Sequence, residues 1–373
     1  MMETVYNHQP RIVGEDVQRR INALGIGQKM QDLPEELWHD SFRFYVKEDP
    51  TRKGGPNLRL IRLDPDKPSL TITGYIFNKF VHPYEDRFIT PREAARLQGF
   101  PDDLEFKGTL TSVQRQVGDA VPVELGKAVF HSLLNTLTSH WPDEQFFNAL
   151  SLFSGAGGFD IAAEKASKSF KSPIKTFACV EIEKDRCDTL RGYFKNKLRV
   201  YQGDITSISS ESILDECKIH REDVWVVYGG PPCQAFSQAG KQKGVFDPRG
   251  VLIFEFLQFI NEIRPRFFIM ENVSNLKGIG NGQLLQQILD EMKSLGYRVD
   301  ARILTATHFG TPQRRQRFFF VGSREDLGVM ARLPEPTHGE TKGLFGLLPF
   351  RTVGDAFVGL PKPDYEPISV SSK

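Results

Sequence analysis

The chain has 373 residues, 39% of them hydrophobic and 25% charged, the balance of a globular enzyme of two or three domains. No apolar stretch approaches the roughly 18 residues that span a bilayer, and Met1-Met2-Glu3-Thr4-Val5 offers neither the basic start nor the apolar run of a signal peptide. Neither a membrane span nor a signal peptide is expected, and a cytoplasmic protein is. The net charge of +1 gives no overall bias toward nucleic acid. The four cysteines, Cys179, Cys187, Cys217 and Cys233, contain no CxxC pair, which argues against a zinc knuckle or a disulfide framework.

In chain order, residues 1–73 are polar, with turn signals at Gly54-Gly55-Pro56 and Asp64-Pro65-Asp66. Two basic clusters stand out, Arg52, Lys53, Arg59 and Arg62 in the first, and five arginines between Arg302 and Arg324 in the second, neither containing an acid. A short helix is predicted from Thr90 to Leu97. Thr90 suits the cap, Pro91 the first helical position, Glu93 the return bond of a capping box, and Gly99 the stop. A second helix is predicted from Pro122 to about Thr138, with Val123, Val129, Leu133, Leu134 and Leu137 on its apolar face. Strands are then expected at Ala149–Phe153, Thr176–Glu181, Val224–Tyr228, Arg266–Met270 and Arg317–Val321. Helices are expected at 158–170, 183–197, 251–263 and 283–295. This alternation predicts an α/β fold, a Rossmann-like, doubly wound and mainly parallel sheet. The last 50 residues are rich in Gly and Pro and read as irregular.

Phe153-Ser154-Gly155-Ala156-Gly157-Gly158 follows a predicted strand and opens a predicted helix, where glycines let the backbone turn tightly against a ligand. Glu181 ends the next strand, placed to accept from ribose hydroxyls, and Asp204 follows strand-like Leu198–Tyr201, placed to meet an adenine amino group. The set points to an adenosine-containing cofactor; the loop alone would serve NAD, FAD or S-adenosylmethionine equally well.

Gly229-Gly230-Pro231-Pro232-Cys233-Gln234 follows the strand Val224–Tyr228, and two prolines there hold a cysteine rigid and exposed, as a nucleophile requires. Glu271-Asn272-Val273 ends the following strand. In a doubly wound sheet ligands gather at the carboxyl ends of strands, so Cys233 and Glu271 should face one cleft. Alternation in the strand entered by Gln313-Arg314-Arg315-Gln316-Arg317 points Arg315 and Arg317 to one side.

Together these stretches resemble the DNA cytosine-5 methyltransferases in order and spacing, as do Arg92-Glu93-Ala94-Ala95-Arg96-Leu97-Gln98-Gly99 and Gln116-Val117-Gly118-Asp119-Ala120-Val121-Pro122. The prolyl-cysteine and the Glu-Asn-Val triplet are the specific elements. The resemblance implies S-adenosylmethionine as cofactor, S-adenosylhomocysteine as product, no metal, double-stranded DNA as partner and a bacterial monomer. It implies that Phe153 to Gly158, Glu181, Ile182, Asp204, Ile205, Pro231, Asp119, Ala120 and Val121 bind the cofactor. It implies Cys233 as nucleophile toward carbon-6 of a flipped-out cytosine, Glu271 at ring nitrogen 3, Arg317 at the ring carbonyl and Arg315 in support. Residues 234–250 would form a loop closing over the base, with Gln234, Ser237, Lys241 and Arg249 toward DNA. Asp119 departs from the asparagine more usual in the family. A tRNA-specific branch shares the same chemistry and remains an alternative.

The order is unusual. The Arg-Glu-Ala-Ala-Arg-Leu and Gln-Val-Gly segments close most family members but come first here. This implies circular permutation, with a catalytic domain at 96–334 and a target-recognition domain assembled from 1–95 and 335–373. Arg59, Arg62 and Thr71 would contact DNA from that lobe.

Overall fold

A computed structural model describes residues 5–40, 42–44, 60–74, 79–232, 251–340 and 346–363. The chain forms two compact units, one of Met1–Asp119, Pro312–Arg314 and Phe350–Lys373, the other of Ala120–Thr311 and Arg315–Pro349.

The first unit holds helices α1 (Glu15–Ala23), α2 (Pro91–Leu97) and α3 (Leu110–Asp119). α2 starts as its sequence dictates. Thr90 accepts from the Glu93 amide at 3.2 Å, Glu93 Oε2 accepts from the Thr90 amide at 2.7 Å, and Pro91 takes the first turn. Arg87 donates to both Glu93 oxygens, at 2.9 and 2.7 Å, so the cap is anchored by a buried ion pair. α3 is not among the predicted elements, although Leu110, Val113 and Val117 fall at helical spacing.

Residues from both chain ends meet in this unit. The amides of Val353 and Gly354 donate to the carbonyls of Lys67 and Pro65 at 3.0 and 2.8 Å. Arg96 Nη1 donates to the carbonyls of Ala356 and Val358. The buried His8 ring bonds Thr90 Oγ1 at 2.8 Å and the Pro361 carbonyl at 2.9 Å.

Arg62, expected at DNA, is only 5% exposed. Its guanidinium donates to the carbonyls of Leu24, Ile21, His82 and Glu85 and pairs with Asp86 at 2.5 Å. Charge-bearing donors buried this way must be satisfied internally, so Arg62 is the structural hub of this unit and not a phosphate contact.

The second unit is built on a seven-stranded sheet: β1 (Phe147–Leu152), β2 (Ile174–Glu181), β3 (Arg199–Gln202), β4 (Val224–Gly229), β5 (Phe267–Val273), β6 (Tyr297–Thr305) and β7 (Gln316–Arg324). The order is β3-β2-β1-β4-β5-β7-β6. The first five strands run parallel, and β7 pairs antiparallel with both β5 and β6. The sheet is therefore α/β and mainly parallel. β4 is buried at every position, as a central strand covered on both faces must be. β5 runs three residues beyond its expected end, so Glu271-Asn272-Val273 are strand residues. β6 was not among the predicted strands. It lies at the sheet edge, and most of its residues are only half-buried, so its sequence carries little alternation.

The helices are α4 (Val123–His140), α5 (Gly158–Ser167), α6 (Lys184–Phe194), α7 (Ser210–Cys217), α8 (Val251–Ile263) and α9 (Gln283–Ser294). On one face Leu214, Phe256, Ile260, Ile288 and Met292 pack with Leu150, Val180, Val227, Phe268 and Met270 of the sheet. On the other, Phe130 of α4 and Phe159 of α5 meet Tyr228 edge-on at 4.9 and 5.3 Å. Among the described residues no helix is long and apolar enough to cross a membrane.

Candidate active site

The site lies at the carboxyl ends of β1, β2, β4 and β5, where a parallel sheet leaves its loops free to meet a ligand. After β1 the chain turns through Phe153 (φ 54°), Gly155 (φ 58°) and Gly157 (φ 82°), three left-handed residues in five. Phe153 holds that conformation without being glycine, which costs energy and is found where function fixes the backbone. At Gly157 a side chain would be strained by the backbone and crowded by its neighbours, since a Cβ there would stand 2.9 Å from Leu190 Cδ2 and 3.2 Å from Phe194 Cε2. At Gly155 a Cβ meets nothing within 4 Å, so the turn opens onto free space.

Glu181 ends β2 beneath this turn. Its Oε2 accepts from the Gly155 amide at 2.7 Å, and Oε1 accepts from the amides of Ile182 and Glu183 at 3.0 and 2.9 Å. Three backbone donors fix the carboxylate and leave lone-pair capacity for a further donor. Beside it Ile182 is 58% exposed, a large apolar side chain turned to solvent. Asp204 is exposed and caps the turn Ile205–Ser207 by accepting from the Thr206 amide at 3.0 Å. Ile205 is buried in the core, so its main chain rather than its side chain is left for a ligand.

The end of β4 is shaped by two glycines. A Cβ on Gly229 would lie 2.2 Å from the Leu152 carbonyl oxygen, and one on Gly230 would lie 3.1 Å from Glu271 Oε2. Gly230 thus admits the Glu271 carboxyl against the chain that leads to Cys233. Asn272 Nδ2 donates to the Pro231 carbonyl at 2.9 Å, tying the Glu-Asn-Val triplet to the two prolines. Neither Gly230 nor Asn272 was singled out from the sequence, although both sit inside motifs already quoted.

Glu271 is 8% exposed, and Arg317 Nε stands 2.7 Å from its Oε1 in an ion pair whose N–H is not aligned for a hydrogen bond. Burial pushes the Glu271 carboxyl above the ordinary range, and Arg317, then Arg315, draw it part of the way back. Arg315 is 1% exposed. Arg317 and Arg315 thus both act on the Glu271 carboxyl, Arg317 from within the strand Gln316–Arg324 and Arg315 from the residue just before it.

A buried carboxyl paired with an arginine and a glycine turn above an anchored acid thus stand at the ends of neighbouring strands. The family model for C-5 cytosine-specific DNA methylases matches residues 4–135 and 147–350. The chain belongs to that family. It is 42% identical over 227 residues to the type II methyltransferase M.AquIA of Picosynechococcus, covering 57% of this chain and 88% of that one. It is 40% identical over 215 residues to the type II methyltransferase M1.HphI of Haemophilus parahaemolyticus, covering 57% of this chain and 52% of that one. A crystal structure of a prophage-encoded Escherichia coli protein, described as a candidate DNA modification methyltransferase, aligns at 26% identity with a TM-score of 0.45 over 58% of this chain and 55% of that one.

In this C-5 cytosine methylase the remaining expected residues fall as follows. Phe153, Ser154, Ala156 and Gly158 lie in the glycine turn, with Ser154 Oγ 2.7 Å from Ser151 Oγ. Asp119 closes α3 in the first unit, while the buried Ala120 and Val121 open the second. Thr71, also in the first unit, donates to the Arg314 carbonyl at 2.8 Å. Cys233, Gln234, Ser237, Lys241, Arg249 and Arg59 lie outside the described residues.

Proposed function

We propose that the protein transfers the methyl group of S-adenosylmethionine to carbon-5 of a cytosine within a specific double-stranded DNA sequence, with Cys233 as nucleophile. The observation that carries this reading is the Glu271 carboxyl, buried beside Gly230, paired with Arg317 at 2.7 Å and followed by Asn272, which bonds the carbonyl of Pro231, two positions before Cys233 in the sequence.

The residues at the strand ends fit the cofactor. The left-handed turn at 153–157, the open space over Gly155, the anchored Glu181 and the exposed Ile182 together offer a cradle, hydroxyl acceptors and an apolar face for an adenosyl group. The cofactor supplies an electrophilic methyl group on a sulfonium.

The chain supplies the rest. Cytosine carbon-5 is a weak nucleophile. Addition of the Cys233 thiolate to carbon-6, with Glu271 giving a proton or hydrogen bond to ring nitrogen 3, makes carbon-5 electron-rich. Arg317 neutralises negative charge as it develops on the ring carbonyl and Arg315 supports it. After methylation a water molecule or hydroxide takes the carbon-5 proton, the thiolate leaves from carbon-6, and the proton lent to ring nitrogen 3 returns to Glu271. Because carbon-6 is hidden in a duplex, the base must first be flipped out. Gln234, Ser237, Lys241 and Arg249 are proposed to steady the DNA around it.

The unit that gathers both chain ends is proposed as the target-recognition lobe, and its make-up supports a circularly permuted order of the family's segments. Kinship with type II methyltransferases supports a role in protecting host DNA within a restriction-modification system.

The test is transfer from tritiated S-adenosylmethionine to mixed genomic DNA and, separately, to tRNA. Label entering DNA as 5-methylcytosine is expected. Label entering tRNA alone would place the protein in the RNA-directed branch, and label in neither would remove the reading.

A further inference from the structure

Behind the glycine turn lies a cluster of buried polar groups that the mechanism does not use. Tyr228 of β4 is fully buried, and its hydroxyl donates to Asp160 Oδ1 at 2.9 Å. Thr176 Oγ1 of β2 lies 2.8 Å from the same hydroxyl. Asp160 sits in the first turn of α5, two residues past Gly158, and is 3% exposed. Ser151 of β1 stands opposite Tyr228 in the sheet register. Its hydroxyl acts on the Asp160 carboxyl and lies 2.7 Å from Ser154 Oγ in the turn itself. One hydrogen-bonded cluster thus ties three neighbouring strands to the helix that opens at the glycine turn.

The walls of this cluster are apolar. Phe130 and Phe159 meet the Tyr228 ring edge-on, and Phe159 packs on Phe319. A phenylalanine at position 228 would suit such walls without asking for a hydrogen bond. A buried polar network costs desolvation, and once satisfied it fixes one arrangement of the elements it joins. Its place in the sheet gives that arrangement a consequence. Leu152, the last residue before the turn, pairs in register with Gly229, the residue after Tyr228. The two strands therefore leave the sheet side by side, β1 into the glycine turn and β4 into the chain that leads to Cys233. The Tyr228–Asp160 bond joins them where they part.

Resting on the cofactor and nucleophile assignments above, we propose that Tyr228 and Asp160 are positioning residues whose hydrogen bond sets the spacing between the cofactor turn and the nucleophile's strand. Neither touches a reacting atom. A misplacement of about 1 Å between reacting groups can cost on the order of 10²-fold in rate while each group stays bound. Loosening this bond should therefore slow methyl transfer more than it weakens cofactor binding, and should spare a step that needs no methyl donor. Exchange of the carbon-5 hydrogen with water is such a step. The Cys233 thiolate adds to carbon-6, Glu271 lends its proton to ring nitrogen 3, and carbon-5 takes a proton from water. Carbon-5 then gives its original hydrogen to water, the thiolate leaves, and the lent proton returns to Glu271.

Two rates measured on the full chain with genomic DNA test this. With labelled S-adenosylmethionine, single-turnover methyl transfer by Tyr228→Phe should be about ten-fold slower, while its affinity for S-adenosylmethionine changes less than about two-fold. With S-adenosylhomocysteine instead, release of tritium from carbon-5 of labelled cytosine should change less than about two-fold. Asp160→Ala should be as slow in methyl transfer as Tyr228→Phe, and the double variant no slower than either, because both remove one bond. Asp160→Asn still offers Tyr228 an acceptor and should recover most of the rate. A Tyr228→Phe protein that transfers methyl at the full rate overturns the proposal. So does one that loses transfer, affinity and exchange in equal measure, since that is the mark of general loosening. Should Asp160→Ala not fold, Tyr228→Phe alone decides. Absence of methyl transfer by the unaltered protein would overturn the function proposed above, and this reading with it.

Discussion

At the scale of single residues the site turns on how burial and two arginines set the proton affinity of one carboxyl. Burial raises Glu271, and the two arginines limit the rise. A group that must donate toward the ring works only while protonated, so the catalytic rate should fall as the pH climbs through the raised Glu271 value. Glu271→Gln should lower kcat about 10²–10⁴-fold and remove that falling limb. Arg317→Ala takes away the strongest charge holding the value down, so the limb in its residual activity should shift to higher pH. A pH–rate profile of both variants checks this, and an unmoved limb in Arg317→Ala would contradict the coupling. Glu271 was legible in the sequence because Glu-Asn-Val is distinctive. Asp160 was not singled out, although an acid among Phe159, Ile161, Ala162 and Ala163 is a polar intruder on an apolar helix. Its meaning depends on Tyr228, 68 residues away, which no local pattern reveals.

At the scale of elements the glycine turn distinguishes two kinds of glycine. Gly157 is required by both its backbone, at φ 82°, and its neighbours, with Leu190 Cδ2 2.9 Å from an added Cβ. Gly155 is required by its backbone alone, since an added Cβ meets open space. Gly157→Ala should therefore lower Tm by several degrees, from about 1–3 kcal/mol of strain and overpacking, while Gly155→Ala should lower it less. Both should weaken S-adenosylmethionine binding at least about ten-fold, because both alter the cradle. Thermal melting with equilibrium binding separates the two, and equal melting points would show that the crowding at Gly157 is relieved elsewhere. The strands that frame this turn could be read in advance because central parallel strands are continuous apolar runs. The edge strand β6 could not, since one flank lacks a partner and its residues are mostly half-buried.

At the scale of the whole molecule the sequence suggested a lobe of residues 1–95 and 335–373, whereas the compact unit that holds both chain ends is bounded at Asp119 and Phe350 and takes in Pro312–Arg314. Within the basic cluster assigned to that lobe, Arg62 is where sequence reasoning went astray. Charge density alone did not distinguish a solvent-facing arginine from Arg62, whose guanidinium serves four carbonyls and Asp86. Arg62→Ala should destabilise the protein by about 3–5 kcal/mol, since it strips the partner from several buried acceptors at once. It should leave the salt dependence of DNA binding unchanged, since no phosphate contact is lost. Denaturant melts and binding titrations across salt concentrations check the two halves. A flatter salt dependence in a variant that still folds would return Arg62 to the DNA interface.

The central claim is the covalent role of Cys233. DNA copied with 5-fluorocytosine in place of cytosine tests it most directly, because after methylation the fluorine leaves carbon-5 with no proton to lose and the thiolate cannot depart. With S-adenosylmethionine present, the unaltered protein should form a complex with this DNA that survives denaturing electrophoresis, and Cys233→Ser should form none. A complex that persists in Cys233→Ser, or its absence from an unaltered protein that methylates ordinary DNA, would contradict the mechanism.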